Sequence, residues 1–483
     1  MFSYRTFARS KPHRTFARFQ STTAARTPAS RLLLVAGAGA VGGTAGWVAL
    51  DRKADKKGIA KCPIAKLPSL DNDKEGYPFT FRDSPPSPAE VTEILNKDKW
   101  SFLNPGKDIT RYDGTQLPHS STCEDRYIHG TFPSPTAPGS ENWMAFGVYD
   151  GHLGARTSEA LTKYLLPYVR HALSEAAESN DVGDDSITQH AIQSAFCSLD
   201  DAFVKDAQKI MDSDLPWSEK VVRLGTASNG SCALLSLYDP STSKLHVACT
   251  GDSRAVLGRQ QSDGTWETVA LSIDQGGRNP DEKERVKAEH PGENIDEVVK
   301  NGRILGLATM RAFGDFHWKA PLETLKLARE QYIAETSAAQ KPELYKTPPY
   351  VTAKPEVTTT TIEKGKPAFM IMATDGLWDS LSSEEAVKLV GKWLEWKSKG
   401  SPAPGTPPAD QFGHFDYLQH RKGDWKIPEA KFTVQDKNAA VHLTRNALGG
   451  AHHDMVSGLL SFRTPFARWA RDDITVQVVF FNC

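Results

Sequence analysis

Four short apolar segments of this 483-residue chain each begin or end within three residues of an aspartate. The segments are 143–149, 244–249, 368–373 and 474–481, and the acids at their ends are Asp150, Asp252, Asp375 and Asp472. Apolar runs of this length predict buried β-strands. Glycine lies beside several of these acids, and glycine lets a backbone approach a ligand closely. The pattern therefore predicts a fold whose strands end at a shared group of carboxylates.

The type of ligand that such a group of acids would hold follows from what accompanies it. One Asp-Gly step after a strand usually marks a turn, but several in one chain predict converging carboxylates. The six cysteines are scattered without a CxxC spacing, which opposes a zinc site or a disulfide framework. Carboxylates without clustered Cys or His select Mg²⁺ or Mn²⁺. Two such ions can activate a water molecule and hold a phosphoryl group for attack.

Other routes to phosphate chemistry leave no trace in the sequence. The chain has no GxxxxGK[ST] loop to hold a nucleotide and no nucleophile elbow. We therefore expect hydrolysis by metal-activated water instead of phosphate transfer from a nucleotide. The near balance of 58 Lys and Arg against 59 Asp and Glu opposes a nucleic-acid partner.

Seven motifs between about residues 110 and 482 resemble, in order, those of the PPM/PP2C family of metal-dependent serine/threonine protein phosphatases. The motifs begin at Glu124, Val148, Gly230, Gly251, Thr309, Ala373 and Arg471. The resemblance implies an α+β fold, in which two antiparallel sheets form a β-sandwich flanked by helices in four αββα layers. It places the metal ions at one edge of the sandwich and implies hydrolysis of phosphoserine and phosphothreonine on proteins.

The resemblance also implies two or more Mg²⁺ or Mn²⁺ ions per subunit and the residues that hold them. Asp150 would bridge two ions and belong to the catalytic set. Asp375 and Asp472 would complete one site. Glu124 and the backbone carbonyl of Gly151 would help to hold the other.

Three further residues receive roles in the same way. Asp252 and Asp379 match the acids of a weaker third metal site. His152 matches the general acid that protonates the leaving serine or threonine oxygen, a role that suits an imidazole with a near-neutral pKa.

One position departs from the family pattern. Many members carry a phosphate-binding arginine four residues before the glutamate of the early acidic motif, and this chain has Ser120 there. Arg126 and Arg311 are the candidate replacements. A pseudophosphatase, which keeps the fold and binds phosphoproteins without turnover, is the alternative function, although none of the motif acids is missing. A nuclease with the same two-metal chemistry is a third hypothesis.

Within the family, segments 271–291, 345–357 and 438–449 resemble the mitochondrial pyruvate dehydrogenase phosphatase subgroup and its fungal relatives. The resemblance implies the E1 component of pyruvate dehydrogenase as a substrate.

The first fifty residues are consistent with a mitochondrial location. They contain no Asp or Glu, and residues 1–31 carry seven Lys and Arg among Phe, Ser and Thr, which is typical of a mitochondrial transit segment. Residues 32–50 are uncharged, about the minimum length for a bilayer span, and could anchor the chain in the inner membrane or be cleaved with the presequence. The larger basic excess before this segment favours the intermembrane space for the rest of the chain, whereas a pyruvate dehydrogenase substrate requires the matrix.

The remaining chain divides into a linker and one large domain. Residues 51–87 are rich in Lys, Asp and Pro and predict a linker. Residues 88–483 form the predicted phosphatase domain, with insertions near 320–349 and 398–430.

Overall fold

The computed structural model describes residues 84–106, 108–120, 122–137, 139–179, 184–332, 343–402, 412–415, 426, 428–463 and 466–483. The predicted transit segment 1–31, the candidate span 32–50 and most of the linker lie outside these ranges. Residues 333–342 and most of the predicted insertion 398–430 also lie outside them, so the proposed domain boundaries stay predictions. Among the described residues, no helix is both long enough and apolar enough to cross a membrane.

Eleven of the strands build two antiparallel sheets. The strands of the six-stranded sheet are Lys99–Leu103 (β1), Ile109–Leu117 (β2), Arg254–Gln260 (β9), Trp266–Ala270 (β10), Ala368–Ala373 (β15) and Ile474–Phe481 (β16). Those of the five-stranded sheet are Arg126–Phe132 (β3), Trp143–Tyr149 (β4), Ala233–Asp239 (β7), Lys244–Thr250 (β8) and Glu356–Thr361 (β14). The order across the first sheet is β1-β2-β16-β15-β9-β10, and across the second it is β14-β8-β7-β4-β3.

Five shorter strands form two small sheets. Gly151–His152 (β5), Gly230–Ser231 (β6) and Phe313–Gly314 (β13) make a three-stranded sheet next to the end of β4. Val299–Lys300 (β11) and Arg303–Ile304 (β12) make a two-stranded one.

Thirteen helices are described. They are Pro88–Asn96 (α1), Arg156–Ser179 (α2), Asp185–Asp212 (α3), Trp217–Ser228 (α4), Pro280–Glu289 (α5), Ile295–Val298 (α6), Phe316–Lys319 (α7), Leu322–Gln331 (α8), Asp375–Trp378 (α9), Ser383–Ser398 (α10), Ala439–Ala447 (α11), His453–Ser461 (α12) and Ala467–Ala470 (α13). Helix α1 begins at Pro88 because Ser87 and Glu90 form a capping box.

The two sheets pack face to face. Alternate residues of β15 pack against different neighbours, the other sheet on one face and helices on the other. Met370 and Met372 of β15 share a buried cluster with Phe146 of β4 in the other sheet. Phe369 and Ile371, one position along, pack instead with helices α10, α11 and α12. This period of two is the geometry of a strand with both faces covered.

The helices complete the outer layers. Helices α2 and α3 cover the five-stranded sheet through Leu161, Leu165 and Phe196. Helices α1, α10, α11 and α12 cover the six-stranded sheet. The predicted four-layer αββα sandwich is thereby confirmed. A third buried cluster joins α4 to α8, and the described part of the predicted insertion 320–349 contributes Leu325 and Tyr345 to it.

The strand registers bring the ends that carry the acids to one edge of each sheet. In the six-stranded sheet, Ala373 at the end of β15 pairs with Arg254 of β9 and with Val476 of β16. The residues after β15 therefore leave the sheet where the residues before β9 and β16 enter it. In the five-stranded sheet, Tyr149 at the end of β4 pairs with Arg126 at the start of β3.

Two short links pass between the sheets at this same edge. Residues 118–125 connect β2 to β3, and residues 251–253 connect β8 to β9. Because both links are short, the acid-bearing edges of the two sheets are held next to each other.

A buried carboxylate joins the six-stranded sheet to helix α11. Asp113 of β2 is fully buried and accepts hydrogen bonds from Ser101 Oγ (2.5 Å) and from Nε and Nη2 of Arg111 (2.8 and 2.9 Å). It also accepts the backbone N–H of Ala439, the first residue of α11, at 2.7 Å. One side chain therefore joins β1, β2 and a helix.

We predict that Asp113→Ala lowers the free energy of unfolding by about 3 kcal/mol, because it leaves a guanidinium and a helix N–H without their partner. Chemical denaturation followed by tryptophan fluorescence measures the change. Asp201→Ala, at an exposed position on α3, is the matched control and should cost at most about 0.5 kcal/mol. Equal losses in both variants would contradict the assignment.

Candidate metal centre

Three of the predicted acids meet at the edge where the sheets join. Asp150 follows β4, Asp252 lies in the link from β8 to β9, and Asp375 begins the short helix after β15. One carboxylate oxygen from each lies within 4.8 Å of the other two. Side chains that are 225 residues apart in the sequence thus form one cluster of oxygen ligands.

The remaining predicted ligands surround this cluster. Nη1 of Arg468 lies 3.0 Å from Glu124 Oε2 and 3.3 Å from Asp472 Oδ1, so these two acids flank one guanidinium. The charge of Asp472 raises the pKa of both Asp150 and Asp375, which shows that it acts on the same cluster. Every acid assigned from the family resemblance, apart from the more peripheral Asp379, therefore lies in or beside the centre.

Asp379 lies at the rim. It is one turn after Asp375, its backbone N–H donates to the carbonyl of Asp375 at 2.8 Å, and its side chain is exposed. Its charge contributes to the raised pKa of Asp375. Its exposed position is consistent with a ligand for a weaker site.

The electrostatics of the cluster favour a cation. Burial, followed by the charge of Asp375, raises the pKa of Asp150 well above its usual range. Burial and the charge of Asp472 do the same for Asp375, and burial raises the pKa of Asp252. Converging oxygen ligands that repel one another suit a hard divalent ion. The residues present therefore fit Mg²⁺ or Mn²⁺.

Glycine is required at Gly151 by close packing. A Cβ atom there would lie 2.3 Å from the backbone carbonyl oxygen of Glu124. Any side chain would push the early acidic motif away from Asp150, so the glycine brings the two metal-binding loops together.

A second layer of acids, which the motifs contain but sequence reasoning did not assign, holds the ligand loops in place. Asp473 accepts the backbone N–H of His119 (2.6 Å), His119 Nδ1 (2.7 Å) and the backbone N–H of Glu124 (2.8 Å). Burial raises the pKa of Asp473, but these hydrogen bonds outweigh burial and hold the pKa below its usual range. Asp473 thus stays charged and fixes the loop that carries Glu124.

Asp125 also holds ligand loops in place, but its side-chain partners are neutral hydroxyl groups. Its Oδ2 accepts hydrogen bonds from the hydroxyls of Thr374 (3.0 Å), which directly precedes Asp375, and Thr475 (2.7 Å), which lies three residues after Asp472. The side chain is 1% exposed, and burial raises its pKa well above the usual range. Asp125 is thus a hydrogen-bonded junction between the early acidic motif and the two chain segments that carry Asp375 and Asp472.

His152 is paired with an acid that the sequence did not connect to it. Its Nε2 lies 2.8 Å from Oδ2 of Asp315, which is completely buried and has a left-handed backbone (φ 50°). Because a carboxylate can only accept, Nε2 carries the proton and Nδ1 is left for other partners. Burial lowers the pKa of His152, but the charge and hydrogen bond of Asp315 outweigh it, so the pKa is raised.

The two candidate replacements for the phosphate-binding arginine are engaged elsewhere. Arg126 donates to the carbonyls of Cys123 and Asp125 and pairs with Glu159. Arg311 pairs with Glu282 and Glu356. Neither has a predicted metal ligand among these side-chain partners.

Comparison with known proteins gives the family. The sequence profile described as Protein phosphatase 2C matches residues 115–404. A protein phosphatase 2C homolog of Schizosaccharomyces pombe is 39% identical over 399 residues, which is 81% of this chain and 83% of that protein. The mitochondrial pyruvate dehydrogenase (acetyl-transferring) phosphatase 1 of Saccharomyces cerevisiae is 36% identical and that of Homo sapiens 32%, covering 81% and 82% of this chain and 72% and 83% of theirs.

Among solved structures, the serine-threonine phosphatase 2C of Toxoplasma gondii aligns with a TM-score of 0.46 at 18% identity, covering 79% of this chain and 99% of that one. The profile match spans more than half of the chain, and the sequence relatives span most of it. The chain belongs to the protein phosphatase 2C family of serine/threonine protein phosphatases.

Proposed function

We propose that this phosphatase hydrolyses phosphoserine and phosphothreonine on proteins at a centre of two or more Mg²⁺ or Mn²⁺ ions. Asp150 would contribute to both ion sites, Asp375 and Asp472 would complete one site, and Glu124 with the carbonyl of Gly151 would help to hold the other. The observation that carries the proposal is the meeting of Asp150, Asp252 and Asp375 oxygens within 4.8 Å.

The weaker third site belongs to Asp252 and Asp379, in keeping with the exposed position of Asp379. When bound, such ions lower the pKa of water and neutralise the charge of a phosphoryl group. The chain itself supplies the fixed geometry. Asp125 and Asp473 keep the ligand loops in place through the hydrogen bonds described above, so little rearrangement is needed when substrate arrives.

His152 supplies the proton in this proposal. Asp315 holds Nε2, which orients the ring and favours the imidazolium form through its charge. Nδ1 then donates its proton to the serine or threonine oxygen as that oxygen leaves the phosphorus. The histidine regains a proton from solvent before the next turnover.

We propose the substrate and the location together. The relatives named as pyruvate dehydrogenase phosphatases carry the word mitochondrial in their names, and residues 1–31 have the composition of a transit segment. We infer that the chain is mitochondrial, is anchored in the inner membrane through residues 32–50, and acts in the matrix on the E1 component of pyruvate dehydrogenase.

Loss of a central ligand should abolish turnover. We predict that Asp150→Asn and Asp375→Asn each reduce Mn²⁺-dependent hydrolysis of a phosphothreonine peptide by at least 100-fold, because each removes a charged oxygen ligand from the cluster. Release of inorganic phosphate measures the rate. Asp201→Asn, which changes the same chemical group at an exposed site, should leave the rate unchanged. Full activity in either ligand variant would refute the assignment, and a wild-type chain without turnover would favour the pseudophosphatase.

The carboxylate charges of the cluster should lower the stability of the metal-free protein. A buried acid with a raised pKa destabilises the fold as the pH rises above the ordinary pKa of the acid, because the unfolded chain ionises first, and the loss is complete once the pH exceeds the raised pKa. We predict that Asp375→Asn raises the melting temperature of the metal-free protein by about 2–4 °C, which corresponds to about 1 kcal/mol. The variant should also lose much of the stabilisation that Mg²⁺ gives the wild type. Differential scanning calorimetry with and without EDTA measures both effects, and a lower melting temperature in the metal-free variant would contradict the reasoning.

The location can be tested independently of the chemistry. We expect an epitope placed in the exposed turn at residues 261–265 to be protected from protease in mitoplasts and to become degraded after detergent is added. Degradation without detergent would place the domain outside the matrix and would remove pyruvate dehydrogenase E1 as a substrate. An intermembrane-space protein and a matrix protein serve as the controls.

A further inference from the structure

The centre contains a partly exposed guanidinium, that of Arg468, which contacts two of the predicted metal ligands. Arg468 projects from α13, and its Nη1 contacts Glu124 and Asp472, which the proposed function assigns to different metal sites. Its side chain is 36% exposed, more than the 22% and 23% of these two acids. Arg468 therefore lies on the solvent side of the centre, between the ligands of both sites.

The backbone that carries Arg468 is firmly held. The neighbouring residues Ala467 and Ala470 are 1% and 2% exposed and belong to the core beneath the six-stranded sheet. Backbone hydrogen bonds run from Ala470 to Phe466 and from Arg471 to Ala467. The arginine thus extends over the centre from a fixed base, which reduces the entropy lost when it binds a ligand.

The contacts with Glu124 and Asp472 hold the guanidinium over the centre through one nitrogen, Nη1. Arginine is permanently cationic in proteins, and Arg468 has further N–H donors beside the one used by the two acids. A phosphomonoester dianion is the ligand that matches both the charge and the forked geometry.

Two other positions near the centre do not meet these conditions. Ser120, where many family members have arginine, carries no charge, and its hydroxyl makes long contacts of 3.3–3.4 Å with Thr122. Arg471 has its Nε and Nη1 buried, and its Nη2 points to the carbonyl of His119. A phosphorylated side chain of another protein could not reach those buried atoms.

We propose that Arg468 binds the phosphoryl group of the substrate and takes the part that arginine at the position of Ser120 takes in many family members. This inference rests on the proposed two-metal phosphatase function. Without substrate, Glu124 and Asp472 hold the guanidinium over the centre. With substrate, its outer N–H groups donate to phosphoryl oxygens.

The first test measures phosphate binding directly. Calorimetric titration of the Mg²⁺-loaded chain with inorganic phosphate should show at least tenfold weaker binding in Arg468→Gln than in the wild type. The affinity for Mg²⁺ should be unchanged or higher, because the variant removes a competing cation from Glu124 and Asp472. Arg463→Gln removes an exposed arginine from the same segment and should bind phosphate like the wild type. Phosphate affinity in Arg468→Gln within twofold of the wild type would overturn the proposal.

Kinetics and a rescue variant distinguish binding from a structural role. The KM for a phosphothreonine peptide should rise at least tenfold in Arg468→Gln, with a smaller change in kcat. Adding Ser120→Arg to Arg468→Gln should recover part of the lost phosphate affinity, because it places a guanidinium at the family's position.

A third measurement needs no variant and therefore holds even if Arg468→Gln fails to fold. Saturating inorganic phosphate should slow the modification of Arg468 by phenylglyoxal in the Mg²⁺-loaded wild type, as quantified by peptide mass spectrometry, while Arg463 reacts at an unchanged rate. An unchanged rate at Arg468 would overturn the proposal. If the wild type itself shows no metal-dependent turnover, the proposed function fails; if it turns over and Arg468 is unprotected, only the present inference fails.

Discussion

Mutual repulsion among carboxylates is the constraint on which the functional edge of this protein depends. Asp150, Asp252 and Asp375 approach one another closely although burial and neighbouring charge oppose their ionisation. Such a cluster can persist only if the rest of the structure prevents the loops from moving apart. The paired strand ends, the two short links between the sheets and the hydrogen bonds to Asp125 and Asp473 all provide that restraint. Much of the sandwich can be understood as a frame that holds these charges together until a cation neutralises them.

Much of this arrangement could be predicted from the sequence, and the reason is local. A buried strand that ends near aspartate is visible as an apolar run next to an acid, so the sequence predicts that Asp150, Asp252, Asp375 and Asp472 converge. In the structure the first three meet, and Asp472 lies beside them on Arg468. The period-two packing of β15 likewise follows from its composition. The layered fold was predicted from the resemblance of the ordered motifs to the family, because the pairing of distant strands leaves no local signal in the sequence.

What escaped prediction depends on contacts between distant residues. Asp315 lies 163 residues from His152 and sits on a left-handed backbone position, which no pattern near either residue indicates. Asp125 and Asp473 stand in the recognised motifs, but their roles follow from which hydroxyl and N–H groups face them. Arg126 and Arg311 were plausible phosphate ligands as sequence neighbours of the motifs, yet both are committed to other partners. The transit segment, the membrane span and the domain boundaries stay predictions, since most of the residues concerned lie outside the described ranges.

Strand β9 runs from the metal-binding edge of the sandwich to an exposed turn. β9 leaves the centre at Arg254 and runs for seven residues, about 20 Å at the rise of an extended strand, before the turn at residues 261–265, all of which are exposed. A surface immobilised through that turn would leave the acids facing away from it. The geometry thus separates the metal-binding edge from an exposed turn by the length of one strand.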